Sequence, residues 1–309
     1  MQVFRRAPSK FDTPVALTIG NFDGVHLGHQ AMLDRLCAAA RELALPAAVM
    51  TFEPHPRELF TPDTAPTRLT SLREKLDCLK RRNIDRVYVS RFNQAFASIA
   101  PNAFIEQLLV KNLGVRWLLV GDDFRFGARR GGDYGLLAQM AKRYKFQLEA
   151  MHSIEVAGER VSSTAVRVAL AQGDFTHAEK LLGRPYSMSG RVMHGEKLGR
   201  KLGFPTANIA LKRRRAPLAG IFAVKLHGIN ATPLPAVASL GVRPTVMTNA
   251  APMLEVHVLD FNADIYGRHV SVEFLHKLRD EEKYADLNSL RHQIQRDVDQ
   301  ARHYLNNIL

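Results

Sequence analysis

The chain has 309 residues, of which 46% are hydrophobic and 24% charged, values of a globular protein with one large or two ordinary domains. That composition excludes global disorder, and two cysteines, Cys37 and Cys78, exclude a disulfide framework. A formal charge of +13 calls for an anionic partner: nucleic acid, a membrane surface or a polyphosphate.

Along the chain, Val15–Ile19 is an apolar run ending at Gly20 and reads as a buried strand. Residues 26–45 follow with helical spacing, and 47–52 form a second buried run. Ser71 opens a helix with Glu74 three residues on, a capping box. Strands are expected at 86–89, 117–120 and 146–151, and helices at 101–113 and 135–144. Repeated β-then-α order implies a parallel sheet covered by helices. Two short helices are expected at 164–171 and 175–182. Then the text changes to strands and turns, at 187–193, 221–226, 236–240, 254–259 and 270–275. A terminal helix carries one apolar stripe: Leu287, Leu290, Ile294, Val298, Ala301 and Leu305. The expectation is a parallel α/β domain, then a β-barrel-like domain, with a boundary near 183–186.

The charge is spread over both halves: 26 basic and 19 acidic residues in 1–184, 17 and 11 in 185–309. The densest run, Lys212 to Arg215, reads as a solvated loop rather than a nucleic-acid patch. No helix-turn-helix, zinc-finger or RNA-binding aromatic signature appears. The N-terminus lacks the apolar core of a signal peptide, and no apolar run approaches the roughly 20 residues that span a bilayer. A cytoplasmic location is expected.

The segment Gly20-Asn21-Phe22-Asp23-Gly24-Val25-His26-Leu27-Gly28-His29 stands where the first strand meets the first helix, the crevice where open α/β sheets take ligands. A helix N-terminus favours phosphate. His26 and His29, three apart, share a helical face, and Gly28 lets a ligand approach the backbone. Two imidazoles there suit a pentacoordinate phosphorus. Two capping histidines on a surface turn, or a zinc site lacking a nearby third ligand, are the other readings.

Ser162-Ser163-Thr164-Ala165-Val166-Arg167 puts hydroxyls and an arginine at another helix start; alone it is a good N-cap. Phe52-Glu53-Pro54-His55-Pro56 and Gly121-Asp122-Asp123-Phe124-Arg125-Phe126-Gly127 follow two strands at their carboxyl ends. Phe124 and Phe126 can stack on a planar ring or fill a core. Beyond residue 185, Gly190, Gly195, Lys197, Gly199 and Arg200 interleave glycines with cations, a pattern that wraps polyphosphate and that a surface hairpin explains equally well. The Walker pattern is absent. Pro205-Thr206-Ala207-Asn208 follows. Glu255 lies on an alternating strand, on the same face as His257, where a solvent-facing glutamate is the ordinary reading.

These motifs together resemble one family. His-x-Gly-His after a first strand is the nucleotidylyltransferase signature, with Ser162–Arg167 matching its second signature. The longer form here is similar to the bifunctional bacterial FAD synthetases, which join a riboflavin kinase to an FMN adenylyltransferase. Five motifs in order, from Thr18 to the terminal helix, carry the resemblance. It implies a Rossmann-like nucleotidylyltransferase domain over 1–184 and a riboflavin-kinase-like β-barrel with a terminal helix over 185–309. It implies ATP as co-substrate in both reactions, FMN as intermediate, FAD as product, and Mg²⁺. His26, His29 and Arg167 would act in adenylyl transfer. Gly20, Asn21, Phe22, Gly28, Ser162, Ser163 and Thr164 would hold its nucleotide. Phe52, Pro54, Asp123, Phe124 and Phe126 would hold the flavin. Gly190, Gly195, Lys197, Gly199 and Arg200 would hold the kinase's nucleotide, Thr206 and Asn208 would hold Mg²⁺, and Glu255 would be the kinase's general base. The chain departs from the pattern at Asp123, where some members carry Asn, and at Ser239 and Val242, where relatives favour Asn and Thr. The expected partners are riboflavin, FMN and ATP, with no membrane and no specific nucleic acid; self-association is compatible with this. Two other readings stand beside it: a single adenylyl- or cytidylyltransferase for another phosphate, with a regulatory second domain, and a non-enzymatic nucleic-acid binder.

Overall fold

The apolar runs of the first half form a six-stranded parallel sheet in a computed structural model that describes residues 1–195, 198–242 and 252–307. Its strands are β1 (Gln2–Phe4), β2 (Val15–Ile19), β3 (Ala47–Glu53), β4 (Arg86–Arg91), β5 (Val115–Gly121) and β6 (Gln147–Met151). They lie in the order β1-β4-β3-β2-β5-β6, parallel at every pairing. β2 is buried at all five positions, which is why it reads as a continuous apolar run. The chain steps outward from β2 through β3 to β4, then returns to β5 on the other side of β2. The strand order therefore reverses at β2, and the crevice at its carboxyl end is the switch point where such sheets bind ligands. β1 is three residues long and largely exposed, so no apolar run announces it.

Helices Leu27–Glu42, Leu72–Arg81 and Tyr134–Tyr144 form as the spacing predicts. The capping box is present: Ser71 N donates to Glu74 Oε2 at 2.6 Å, and Glu74 N to Ser71 Oγ at 3.3 Å. The helix expected over 101–113 differs. It is α only at Pro101–Ala103 and π from Phe104 to Asn112, and Leu113 N then donates to the carbonyl of Leu108, five residues back, at 3.0 Å. Such winding is rare and has no compositional signature. A two-residue hairpin pairs β7 (Glu155–Val156) with β8 (Glu159–Arg160).

The chain divides into two compact units, Met1–Pro66 with Lys75–Ser162, and Thr67–Glu74 with Ser163–Leu309. The second unit is built on a closed barrel of β9 (Ser187–Met193), β10 (Ala207–Ala210), β11 (Gly220–His227), β12 (Leu234–Val242), β13 (Pro252–Val258) and β14 (His269–Arg279). Every pairing in it is antiparallel. Phe175, on helix Phe175–Leu182, meets Phe222 edge-on and stacks on Phe274. The terminal helix, Leu287–Asn306, buries Val298, Ala301 and Leu305 against Ile221, Ala223 and Val237. Its stripe frays at the start, where Leu287 is 58% exposed.

One residue of the basic run departs from the solvated loop expected for it. Lys212, Arg214 and Arg215 are exposed, but the Arg213 side chain has 0% exposure and pairs with Glu74 at 2.6 Å. Its Nη1 also donates to the carbonyls of Arg68 and Leu69, each at 3.3 Å, and to Tyr186 Oη at 3.1 Å. Glu74 Oε1 in turn accepts from Ser189 N at 2.6 Å. A planar guanidinium serves this many acceptors at fixed angles, and an ammonium would not.

Two candidate nucleotide sites

The first site lies at the carboxyl end of β2. The loop from Gly20 to His26 carries positive φ at Phe22 (48°), Gly24 (84°) and Val25 (41°). For a β-branched valine that conformation is strained, and strain of this kind collects at functional sites. The loop is braced from below. Phe22 is fully buried with its ring 5.0 Å from that of His29, and Gln30 Nε2 donates to the Val25 carbonyl at 2.9 Å. Phe22 therefore supports the site rather than touching a nucleotide with its side chain.

His26 is the N-cap of helix Leu27–Glu42, one step outside it: its Nδ1 accepts from His29 N at 3.3 Å. The two rings nevertheless stack, 3.7 Å apart at 20°. The capping reading and the phosphate-site reading thus meet in one residue, and the cap is buried, with 7% exposure. No acidic side chain stands in the helix's first turn, so the positive end of its dipole is uncompensated. Burial, with His26 and Lys75 adding positive charge, holds the His29 imidazole well below its ordinary pKa of 6.5. Three buried polar atoms here, Thr18 Oγ1, Asn21 Oδ1 and His29 Nδ1, have no hydrogen-bond partner. Such atoms call for an explanation, and a polar ligand at the strand end supplies one. A side chain at Gly28 would press on the His26 ring at 3.3 Å.

Next to this lies a cavity of about 630 Å³ lined by Gly20, Asn21, Phe52, Asp123, Phe124 and Phe126. Pro54 is exposed and outside its lining, which takes His55 and Pro56 instead. Phe124 and Phe126 stack on each other at 5.6 Å and 18°. Phe126 is buried and also packs on Phe104, so it is core and wall at once. Asp123 pairs with Arg160 at 3.3 Å, which offsets its charge.

In the second unit, helix Ser163–Ala171 begins at the hydroxyl-rich motif, with Ser162 just before it and Thr164 exposed. Arg167 Nε donates to the Thr67 carbonyl at 2.7 Å.

The barrel's candidate site is a wall. Asn208 on β10 and Ser239 on β12 flank Glu255 on β13 in register. Along β13, burial alternates, with Leu254, Val256 and Val258 buried and Glu255 and His257 half-buried. Glu255 faces a cavity of about 350 Å³ with Thr206, Asn208, Tyr284, Leu290 and Ile294. The upstream members of the terminal helix stripe thus line a cavity. Thr206 also lines a second cavity, of about 260 Å³, with Arg200, Asp264 and Tyr266.

The glycine-rich loop is not one cradle. Gly190 is a buried strand residue, and a side chain there would collide with the Ala210 backbone, so barrel packing by itself calls for a glycine. Gly199 lies in a short helix, Leu198–Leu202. A Cβ at Gly199 would stand 3.2 Å from Thr206 Oγ1, and one at Gly195 would strike the Asn208 side chain. These two glycines let the side chains of the expected metal ligands approach the backbone closely. Lys197 lies outside the described residues, as does part of the Ser239–Thr245 segment.

The sequence model of the FAD synthetase family matches residues 9–165, and that of riboflavin kinase matches 182–305. The bifunctional riboflavin kinase/FMN adenylyltransferase of Escherichia coli K12 is 50% identical over 93% of this chain and 92% of its own. The chain belongs to the bifunctional riboflavin kinase/FMN adenylyltransferase family. Its counterpart from Haemophilus influenzae is 47% identical, with 94% of each chain covered. A crystal structure of a macrolide-efflux protein from Streptococcus pneumoniae shares the architecture, with a TM-score of 0.78, 29% identity, and 97% of this chain and 98% of that one covered. Among the described residues no helix is long and apolar enough to cross a membrane.

Within this family member, three features escape motif reading. Lys75 is 2% exposed and reaches the first site from a helix. Phe60, Phe92 and Phe96 join Phe52 in an aromatic wall of the larger cavity, though they fall outside every motif. Arg213 is hidden in a run that looks like surface. Only the isolated Phe60, Phe92 and Phe96 left a signal, as large apolar residues between predicted elements.

Proposed function

We propose that this chain makes FAD from riboflavin in two ATP-dependent steps, with the barrel as kinase and the parallel-sheet domain as adenylyltransferase. Functionally, residues 1–184 form the adenylyltransferase and 185–309 the kinase. In the first step the ribityl hydroxyl of riboflavin attacks the γ-phosphorus of ATP. Glu255 takes the hydroxyl proton, the bond from the γ-phosphorus to the bridging oxygen breaks, and ADP leaves. The apolar wall of Leu290, Ile294 and Tyr284 receives the isoalloxazine, and the cavity with Arg200 and Tyr266 receives the nucleotide. Thr206, on the rim of both, stands where the two substrates meet.

Thr206 and Asn208 would hold Mg²⁺. Their neutral oxygens are hard donors, and the glycines beside them let both side chains lie close against the backbone. Among the described residues no cluster of three His, Cys, Asp or Glu could hold a metal, so most of the coordination must come from triphosphate and water. The ion's chemistry is to neutralise charge on the triphosphate.

In the second step a phosphate oxygen of FMN attacks the α-phosphorus of another ATP, and pyrophosphate leaves. That nucleophile is already ionised at neutral pH, so no base is required. His26 and His29 steady the α-phosphate at the helix N-terminus, and Ser163, Thr164 and Arg167 take the pyrophosphate. Free thiols at Cys37 and Cys78 fit a reducing cytoplasm.

The observation that carries this reading is Glu255 held between Asn208 and Ser239 on a cavity wall, in a chain that also stacks the buried His26 on the half-buried His29 at a helix start. A time course with riboflavin, ATP and Mg²⁺ tests it: FMN rises before FAD. No flavin conversion overturns it.

A further inference from the structure

Lys75 is a buried cation beside the first site that neither reaction has used. It stands on helix Leu72–Arg81 with 2% exposure. Its Nζ donates to Thr51 Oγ1 at 3.2 Å, and Thr51 Oγ1 donates to the Asn21 carbonyl at 3.2 Å. Thr51 is itself fully buried on β3. The ammonium is therefore linked through one hydroxyl to the backbone of the strained loop that ends at His26. Burying an ammonium is costly before its interactions are counted, so a neutral packing residue would be the default for a helix face on this sheet.

We propose that Lys75 is a positioning residue for adenylyl transfer, holding the Asn21 to His26 loop through Thr51 and setting a fixed positive charge beside the histidine pair. The inference rests on the assignment of His26 and His29 to that step. Its physical content is twofold. The Lys75–Thr51–Asn21 relay fixes the loop whose backbone leads into the helix N-terminus. The charge adds to the field of that terminus where negative charge grows on the α-phosphate, and it joins burial and the neighbouring His26, the larger causes, in lowering the pKa of the His29 ring.

Four variants of the full chain test it, each assayed for FAD formation from FMN and for FMN formation from riboflavin. Lys75→Met removes relay and charge, Lys75→Gln keeps a hydrogen-bonding group without charge, and Thr51→Val removes only the relay. His29→Ala is the control on the site itself. The expected results are a kcat for FAD formation lowered at least tenfold in Lys75→Met and threefold or more in both Lys75→Gln and Thr51→Val. KM for FMN stays within about twofold, and riboflavin phosphorylation is unchanged. A purely structural role would lower both activities together with the fraction of folded protein, and that outcome overturns the proposal. So do Lys75→Gln and Thr51→Val with wild-type kcat, a pair that decides the matter even where Lys75→Met does not fold. If His29→Ala itself leaves FAD formation intact, the site assignment has failed. If His29→Ala abolishes it while the Lys75 and Thr51 variants turn over normally, only the role of Lys75 has failed.

Discussion

The two units solve related phosphorus chemistry with different materials. In the first, the proposed reactive groups stand at the end of a strand, on a strained loop and a helix N-terminus, and they are imidazoles and backbone amides. In the second, they stand on the face of a barrel strand, and the proposed central one is a carboxylate. The acidity of the nucleophile accounts for the contrast. FMN brings a phosphate that is already an anion, so its site only has to position it and stabilise charge. Riboflavin brings an alcohol, so its site must include a base.

Breaking the base should therefore have the largest effect. Glu255→Gln is expected to lower FMN formation by about 10²–10⁴-fold, with FAD formation from supplied FMN unchanged, as product chromatography would read. His29→Ala is expected to do the converse, lowering FAD formation roughly 10²–10³-fold while phosphorylation persists. If both activities fell together in either folded variant, the contrast between the sites would collapse. Arg213→Met tests stability instead: it leaves the largely buried Glu74 carboxylate without its cation, and breaking such a pair costs up to about 3–5 kcal/mol, measurable in urea unfolding followed by circular dichroism. A smaller effect follows from His29. Its folded pKa is depressed below 6.5, so below that pH the unfolded chain binds a proton that the folded chain refuses. Stability from this group is present above pH 6.5 and falls with acidification by up to about 1.4 kcal/mol per pH unit. His29→Gln should flatten that slope in unfolding curves recorded between pH 7 and 5. Smallest of all, Asp123→Asn loses only an exposed pair with Arg160, worth about 0–1 kcal/mol, and the KM for FMN should move less than about fivefold.

How much of this was readable in the sequence follows the range of the interactions. β2 and β3 announce themselves because burial on both faces demands continuous apolar runs, and Glu74 announces the helix start because a cap is local. Glu255 was placed on the right face by strand alternation alone. The stacking of His26 on His29 agrees with the spacing of three, although His26 stands outside the helix. Lys75 and Arg213 were invisible because their partners, Thr51 and Glu74, are 24 and 139 residues away; nothing local distinguishes a buried cation from a solvated one. Gly190 fell inside an expected strand as well as in the glycine-and-cation pattern, and what it answers to is the neighbouring strand in the barrel. Leu287 belongs to the stripe by spacing and is exposed, outside the cluster that buries Val298 and Leu305.

The closed barrel has a kinetic implication. β13 is laddered to β10 on one side and β12 on the other, so the backbone that carries Glu255 cannot shift along or away from the wall without breaking two sets of backbone hydrogen bonds at once. The proposed base is anchored at its Cα through the catalytic cycle, and only its side-chain torsions are left to move. Rearrangement that admits riboflavin, aligns its hydroxyl and releases FMN falls to side chains, to the connections between strands or to the substrate, and a slow step in turnover would belong there rather than to the strand.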